Sequence, residues 1–354
     1  MTWTVDVAVQ TPAHSALGDL LSYASPVPLA AGTLVRVPLG NREVLGVVWE
    51  AARRAESDAD GEAPAMTLKP VAATLDALAP LDEAWRDLVA FAARYYQRSL
   101  GEVALAALPP QLRDLTGVQL ARRLKRKTPA RVDVTRDDAI NSIAPSAEQA
   151  GALARFGTDT GPFLLFGSTG SGKTEVYLRA VAELLARDAT AQALVMVPEI
   201  NLTPQLEARF KARFGADAVV SLHSGMTNPQ RLASWLAAHG GAARIVLGTR
   251  MAVFASMPGL QLIVVDEEHD PSYKQQEGAR YSARDLAVWR GQREGAKVIL
   301  GSATPSFESW HQSRPAEGDD PGGRYVRLEM PARIGAGELP AVRLVDMNLQ
   351  PPKT

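Results

Sequence analysis

Cysteine is absent from this sequence of 354 residues. That excludes disulfide cross-links and thiolate metal sites within it, and it suits a reducing compartment such as the cytoplasm. Net charge is nearly absent too: 38 Lys and Arg offset 39 Asp and Glu, leaving −1. A surface that binds a polyanion must therefore be local, because no global basic field exists. Long hydrophobic runs are also missing. None approaches the roughly 20 residues of a membrane span, and the opening Met1, Thr2, Trp3, Thr4, Val5, Asp6 has neither the basic start nor the apolar core of a secretion signal. No membrane partner is expected. What is present is core material: 46% of the residues are hydrophobic, enough for two or three domains at this length.

The strongest local signal is the stretch 162–174, PFLLFGSTGSGKT. A short apolar strand runs into Gly167, Ser168, Thr169, Gly170, Ser171, Gly172, Lys173 and Thr174, which fit G-x-x-x-x-G-K-[ST] at every fixed position. The three glycines let consecutive N–H groups converge on phosphate oxygens. Lys173 adds a point charge for the β and γ phosphates, and the Thr174 hydroxyl is placed to ligate Mg2+. Residues 175–185 are apolar at helical spacing, so the phosphates would sit on a helix N-terminus.

Ahead of that loop the chain changes character twice. Residues 5–9, 20–24, 34–38 and 44–49 are short alternating or apolar runs between turn formers, which argues for a small β-barrel or sandwich. Residues 51–65 are polar and acidic towards their end, a surface loop. Residues 82–98 read as a helix capped by Asp82, with Trp85, Leu88, Val89, Phe91, Ala92 and Tyr95 inward and Gly101 past its end. A domain over 1–105 is expected. Between 112 and 136 lie Arg113, Arg122, Arg123, Lys125, Arg126, Lys127, Arg131 and Arg136 against only Asp114 and Asp133. This run reads either as a contact for nucleic-acid phosphates or as a solvated helix face and linker.

From Ser146 onward, apolar strands at 193–197, 218–222, 244–248, 262–265 and 297–301 alternate with helices near 175–187, 203–214, 229–239, 284–293 and 304–312. That pattern predicts an α/β lobe with a mostly parallel sheet covered on both faces, and ligands at the carboxyl ends of its strands. One such end is Asp266-Glu267-Glu268-His269. Asp266 would hold Mg2+ through water and Glu267 would orient or deprotonate the attacking water, while His269 alone would read as a structural histidine. Another is Gly301-Ser302-Ala303-Thr304-Pro305-Ser306, whose hydroxyls can reach towards the acidic motif and a nucleic-acid backbone, or merely cap a helix.

Asp-Glu-x-His, Ser-Ala-Thr and the phosphate loop together resemble the signature of superfamily 2 helicases. The text between them narrows this: VPEINLTPQ at 197–205, LHSG at 222–225, LGTR at 247–250, DEEHDPSYKQQEG at 266–278 and Arg280-Tyr281 are similar to the PriA (primosomal protein N′) family of replication-restart helicases. The resemblance implies a RecA-like lobe over 146–340 in an ATP- and Mg2+-dependent 3′ to 5′ DNA helicase, preceded by a β-rich, barrel-like domain that binds a 3′ DNA end. It implies forked DNA with a 3′ leading-strand end and single-stranded DNA as ligands, with primosome proteins and single-strand binding protein as partners.

The same resemblance assigns roles. Lys173, Asp266 and Glu267 are implied for catalysis, the loop 167–174 with Gln149 and His269 for the nucleotide, and Gln149 for reading adenine. Thr203, Thr249, Arg250, Tyr273, Lys274, Arg280 and Tyr281 are implied for DNA, with bases stacking on Tyr281. Asp19 is the nearest candidate for the aspartate that binds the 3′ hydroxyl, though it stands between Gly18 and Leu20 rather than between aromatics.

Other departures are a short 106–145 where the family has a winged-helix domain, and Ala279 in place of a tryptophan. Residues 341–354 read as the lead into a second lobe. That lobe's arginine and the family's zinc module are therefore not expected in this chain, which would leave it slow in hydrolysis. A non-catalytic module that binds forked DNA and ATP is the alternative; an RNA helicase fits the text less well.

Overall fold

A computed structural model describes residues 2–11, 18–54, 68–127, 144–318 and 320–334. Most of the surface loop read over 51–65, both Arg131 and Arg136, and the lead into a second lobe read over 341–354 fall outside those residues.

The amino-terminal part is an antiparallel sheet of β1 (Trp3–Val9), β2 (Leu20–Ser25), β3 (Leu34–Leu39), β4 (Arg42–Val48), β5 (Arg53–Arg54) and β6 (Ala73–Thr74) in the order β2-β1-β4-β3-β6, with β5 also on β1. Val71 N–H donates to Ala24 O at 2.8 Å and Ala72 N–H to Arg36 O at 2.9 Å, so residues leading into β6 join β2 to β3 and curl the sheet towards a barrel. Alternation works as expected. Val5, Val7 and Val9 fill a core with Val35 and Val37, while Ala8, Leu34, Leu45 and Val47 face the helices.

Asp82 caps α1 (Glu83–Tyr95), accepting from Trp85 N–H at 2.7 Å. Trp85, Leu88, Val89 and Ala92 point inward as read from the sequence, but Tyr95 is 66% exposed, and its neighbour Tyr96 turns inward instead. Gly101 does not stop this helix. It lies inside α2 (Leu100–Ala107), where a Cβ would come within 1.8 Å of Val9 O, so its missing side chain lets α2 pack directly on β1. A further helix, α3 (Gly117–Lys127), follows.

The second part has seven strands, all parallel: β7 (Phe163–Gly167), β8 (Gln192–Met196), β9 (Val219–Leu222), β10 (Ile245–Gly248), β11 (Leu260–Val265), β12 (Lys297–Ser302) and β13 (Val326–Met330), in the order β13-β7-β12-β11-β8-β10-β9. α4 (Ala147–Thr158) precedes them, and between them run α5 (Lys173–Arg187), α6 (Pro204–Phe214), α7 (Asn228–His239), α8 (Ala283–Glu294) and α9 (Phe307–Gln312). Successive strand residues serve opposite faces: Leu194, Ile263 and Leu300 join one core, while Val195, Leu262, Val264 and Ile299 join the other. Edge strand β13, VRLEM, was not foreseen, since two charges in five residues hide its apolar face. No helix among the described residues is long and apolar enough to cross a membrane.

The two parts share one core. Trp85 Nε1 donates to Phe254 O at 2.8 Å, Phe91 stacks on Trp289 at 4.4 Å, and His239 Nε2 reaches Ala79 O at 3.0 Å.

Candidate nucleotide-binding site and the loops beside it

The loop after β7 is shaped by its glycines. Gly170 and Gly172 have φ of +83° and +85°, a region open to glycine at little cost, and Gly172 hands the chain into α5 without a side-chain cap. The first N–H groups of α5 are thus left for an anion. Thr169 and Gly170 form the exposed tip, and Gly167 closes the base, where a Cβ would meet Ser171 Oγ at 2.6 Å. Lys173 is 8% exposed and donates to Gly167 O at 2.9 Å, with Thr174 half-buried beside it. Two buried hydroxyls, Ser168 Oγ and Ser171 Oγ, have no hydrogen-bond partner among the described residues. Orphaned donors inside a loop of left-handed glycines fit a ligand rich in acceptor oxygens, as phosphate is.

Asp266 ends β11 two strands away from β7. It accepts from Tyr177 Oη at 2.9 Å, and burial raises its carboxyl above the usual range, opposed by that hydrogen bond and by the Lys173 charge. A buried carboxylate that feels the Lys173 charge suits a divalent cation, which would add counter-charge there. Burial, with the Asp266 charge next, pushes the Tyr177 hydroxyl well above its normal range, so it remains a donor. Gly301 makes room for this pair, since a Cβ there would lie 1.7 Å from Tyr177 Oη. Tyr177 was missed in the sequence, although it lies one helical turn past Lys173.

Glu267 has φ of +46°, unfavourable for a residue with a side chain by about 1–2 kcal/mol. Hydrogen bonds hold it on both sides: Asp270 N–H donates to Glu267 O at 2.8 Å, and Glu268 N–H to Gly301 O at 3.0 Å. His269 Nδ1 meets Ser302 Oγ at 2.8 Å and Nε2 meets Thr304 Oγ1 at 3.3 Å, so both ring nitrogens of this nucleotide-site candidate address the Ser-Ala-Thr loop. Glu268, also missed, is fully buried. Its carboxylate accepts from Ser306 N–H at 2.7 Å, Ser306 Oγ at 3.0 Å, Ser309 Oγ at 2.8 Å and Arg284 at 3.3 Å, clamping the start of α9. The i, i+3 hydroxyls at 306 and 309 were the available signal.

The aromatic-rich loop departs most from expectation. Tyr273 is 3% exposed and donates to Asp266 O at 2.6 Å, so it braces the acidic motif and offers no face to a base. Tyr281 is partly buried and packs edge-to-face on Phe254 at 5.0 Å, and burial lifts its hydroxyl to about 12. Arg250 is tied to Gln275 Oε1 at 2.6 Å and Ser272 O at 3.1 Å, fixing the loop to the end of β10. Lys274, over the Tyr96 ring at 5.2 Å, and Arg280 are exposed.

Thr249 is buried, its N–H donating to Leu222 O at 3.1 Å beneath the 3-10 turn Arg250–Phe254, so its side chain does not face a tracked strand here. Thr203 is exposed, and its hydroxyl oxygen accepts from Leu206 N–H at 3.3 Å to cap α6. Gln149 is buried. Its amide closes the capping box with Ser146 and donates to Gly172 O at 3.3 Å, which places it against the phosphate loop with its polar atoms already engaged. Asp19, exposed, accepts from Leu100 N–H at 3.1 Å at the start of α2. It does not line the open depression of about 980 Å³ between Arg42 and Arg113 on the same part of the molecule.

Two stretches of the chain match known families. Residues 6–109 match the "3'DNA-binding domain (3'BD)" of PriA, and residues 146–312 match "DEAD/DEAH box helicase". The replication restart protein PriA of Haemophilus influenzae is 33% identical across 94% of this chain and 52% of its own length. That of Treponema pallidum is 34% identical across 90% of this chain and 45% of its own length. That of Bacillus subtilis is 43% identical over 52% of this chain and 22% of its own. The chain thus spans at most about half the length of these relatives. The chain belongs to the family of the replication restart protein PriA.

Proposed function

We propose that this chain is the ATP-binding and 3′-end-binding part of a 3′ to 5′ DNA helicase that restarts replication at stalled forks in the cytoplasm. The observation that carries the nucleotide half is the pair of partnerless buried hydroxyls, Ser168 and Ser171, in the same loop as Lys173. In this reading Lys173 and the α5 N-terminus bind the β and γ phosphates, and Gln149 and His269 border the nucleotide. Mg2+ held by Thr174 and Asp266 would neutralise developing charge. Glu267, kept in its unusual backbone conformation, would orient the hydrolytic water.

The DNA half rests on the match over 6–109 and on the exposed Lys274 and Arg280. Arg250 and Tyr273 act through the loop they hold, Tyr281 supports it from within, and Asp19 remains the candidate for the 3′ hydroxyl. Unwinding, single-stranded DNA tracking, and work with primosome proteins and single-strand binding protein are proposed for a protein of its relatives' full length, about twice that of this chain. A fork whose leading strand ends in a free 3′ hydroxyl should bind more tightly in anisotropy titrations than the same fork ending in a 3′ phosphate. Equal affinity for both would contradict the 3′-end reading. DNA-stimulated ATP turnover that disappears in Lys173→Ala would favour an enzyme over a binding module.

A further inference from the structure

Helix α3 belongs to neither matched region, lying between residue 109 and residue 146. Its sequence, GVQLARRLKRK, contains Arg122, Arg123, Lys125, Arg126 and Lys127 and no acidic residue, in a chain whose net charge is −1. A helix of this length is marginal in water by itself. Here it is built in. Leu120 is fully buried in the amino-terminal core, and Leu124 packs at its margin. Thr116 and Gln119 bond reciprocally at 3.0 and 3.3 Å across its first turn. The preceding turn is held by Arg36, which donates to Leu112 O at 3.2 Å and Leu115 O at 2.8 Å.

With the apolar seam turned inward, Arg122 and Arg123 are exposed and form no ion pair among the described residues. The helix dipole favours cations in a last turn, which accounts for Lys125, Arg126 and Lys127. It does not account for Arg122 and Arg123, which precede that turn. Arg122 and Arg123 are adjacent exposed like charges, and α3 holds no acidic residue to offset them. Such a pair is relieved when a polyanion lies along it.

We propose that α3 is a separate, sequence-independent contact for the phosphate backbone of duplex DNA, apart from the nucleotide loops and from any 3′-end pocket. A rigid helix of this length spans several phosphates of a duplex. This rests on the reading that the chain works on DNA.

The test uses the whole chain and a fluorescent dumbbell duplex closed by hairpins, which offers no DNA end, titrated by anisotropy over about 50–200 mM KCl. In Arg122→Ala/Arg123→Ala, the slope of log affinity against log salt should shrink by roughly 2, at about 0.9 per phosphate contact, with affinity near 0.1 M salt lower on the order of tens-fold. Arg122→Lys/Arg123→Lys should keep the slope, and Arg187→Ala, an exposed arginine of α5 paired with Glu183, should change nothing. Melting temperature and ATP affinity should be unaffected in all three. An unchanged slope in the double alanine variant overturns the proposal while leaving the DNA reading intact, as does loss of binding to anionic lipid vesicles in place of DNA. If the wild-type chain binds neither dumbbell nor fork, both fall.

Discussion

Two loops leave the same edge of the parallel sheet and are built in opposite senses. The loop after β7 keeps its polar groups uncommitted: its tip is exposed, two of its glycines are left-handed, and two buried serine hydroxyls lack partners among the described residues. The loop after β11 turns inward, with Tyr273 bonded to Asp266 O, Tyr281 packed on Phe254, and Arg250 tied to Ser272 and Gln275. The difference lies in what each residue type can do unaided. Small hydroxylic and glycine residues gain little by burial and keep their hydrogen-bonding capacity for a ligand. Tyrosines gain a great deal from burial and find internal acceptors, leaving only lysine and arginine outside. The loop therefore mixes exposed residues with residues that hold it in place.

The sharpest way to break this comparison is to truncate inward and outward members of one loop. Tyr273→Ala should cost about 3–5 kcal/mol, seen as a large drop in melting temperature, because it empties a buried site and frees the Asp266 carbonyl. Arg280→Ala should stay within about 0.5 kcal/mol and weaken DNA binding alone. Equal stability losses would remove the distinction. Gly301→Ala should cost about 1–3 kcal/mol and weaken Mg2+-dependent nucleotide binding, since the new methyl displaces the Tyr177 hydroxyl from Asp266. Retained nucleotide affinity would show that this pair does not shape the site.

The smallest effect concerns the joint between the two parts. Burial holds the His239 pKa below its ordinary 6.5, against the opposing pull of its bond to Ala79. The folded state thus favours the neutral ring. The stability this provides is complete above pH 6.5 and is lost as pH falls through the depressed folded value. Urea midpoints measured from pH 7.5 down to about pH 5 should fall, and His239→Gln should flatten that part of the profile.

Much of the fold was legible because its signals are local. Six of the seven parallel strands announced themselves as apolar runs, and glycine spacing marked the phosphate loop. β13 was hidden because an edge strand alternates charge with apolar residues, and α2 because Gly101 reads as a stop when its real cause is the approach of Val9 from far along the chain. The site divided similarly. Lys173, Asp266 and the glycines follow from spacing alone. Glu268, Tyr177 and the inward turn of Tyr273 depend on contacts between elements that sequence order does not reveal.

The central claim is that the loop after β7 and Asp266 together form one phosphate and metal site. The most direct measurement is a titration of the 354-residue chain with a fluorescent N-methylanthraniloyl ATP, with and without Mg2+, beside Lys173→Ala. The account predicts saturable, Mg2+-dependent binding that weakens roughly ten- to a hundredfold in the variant while its melting temperature holds. Equal affinity in both proteins, or none in the wild type, would contradict it.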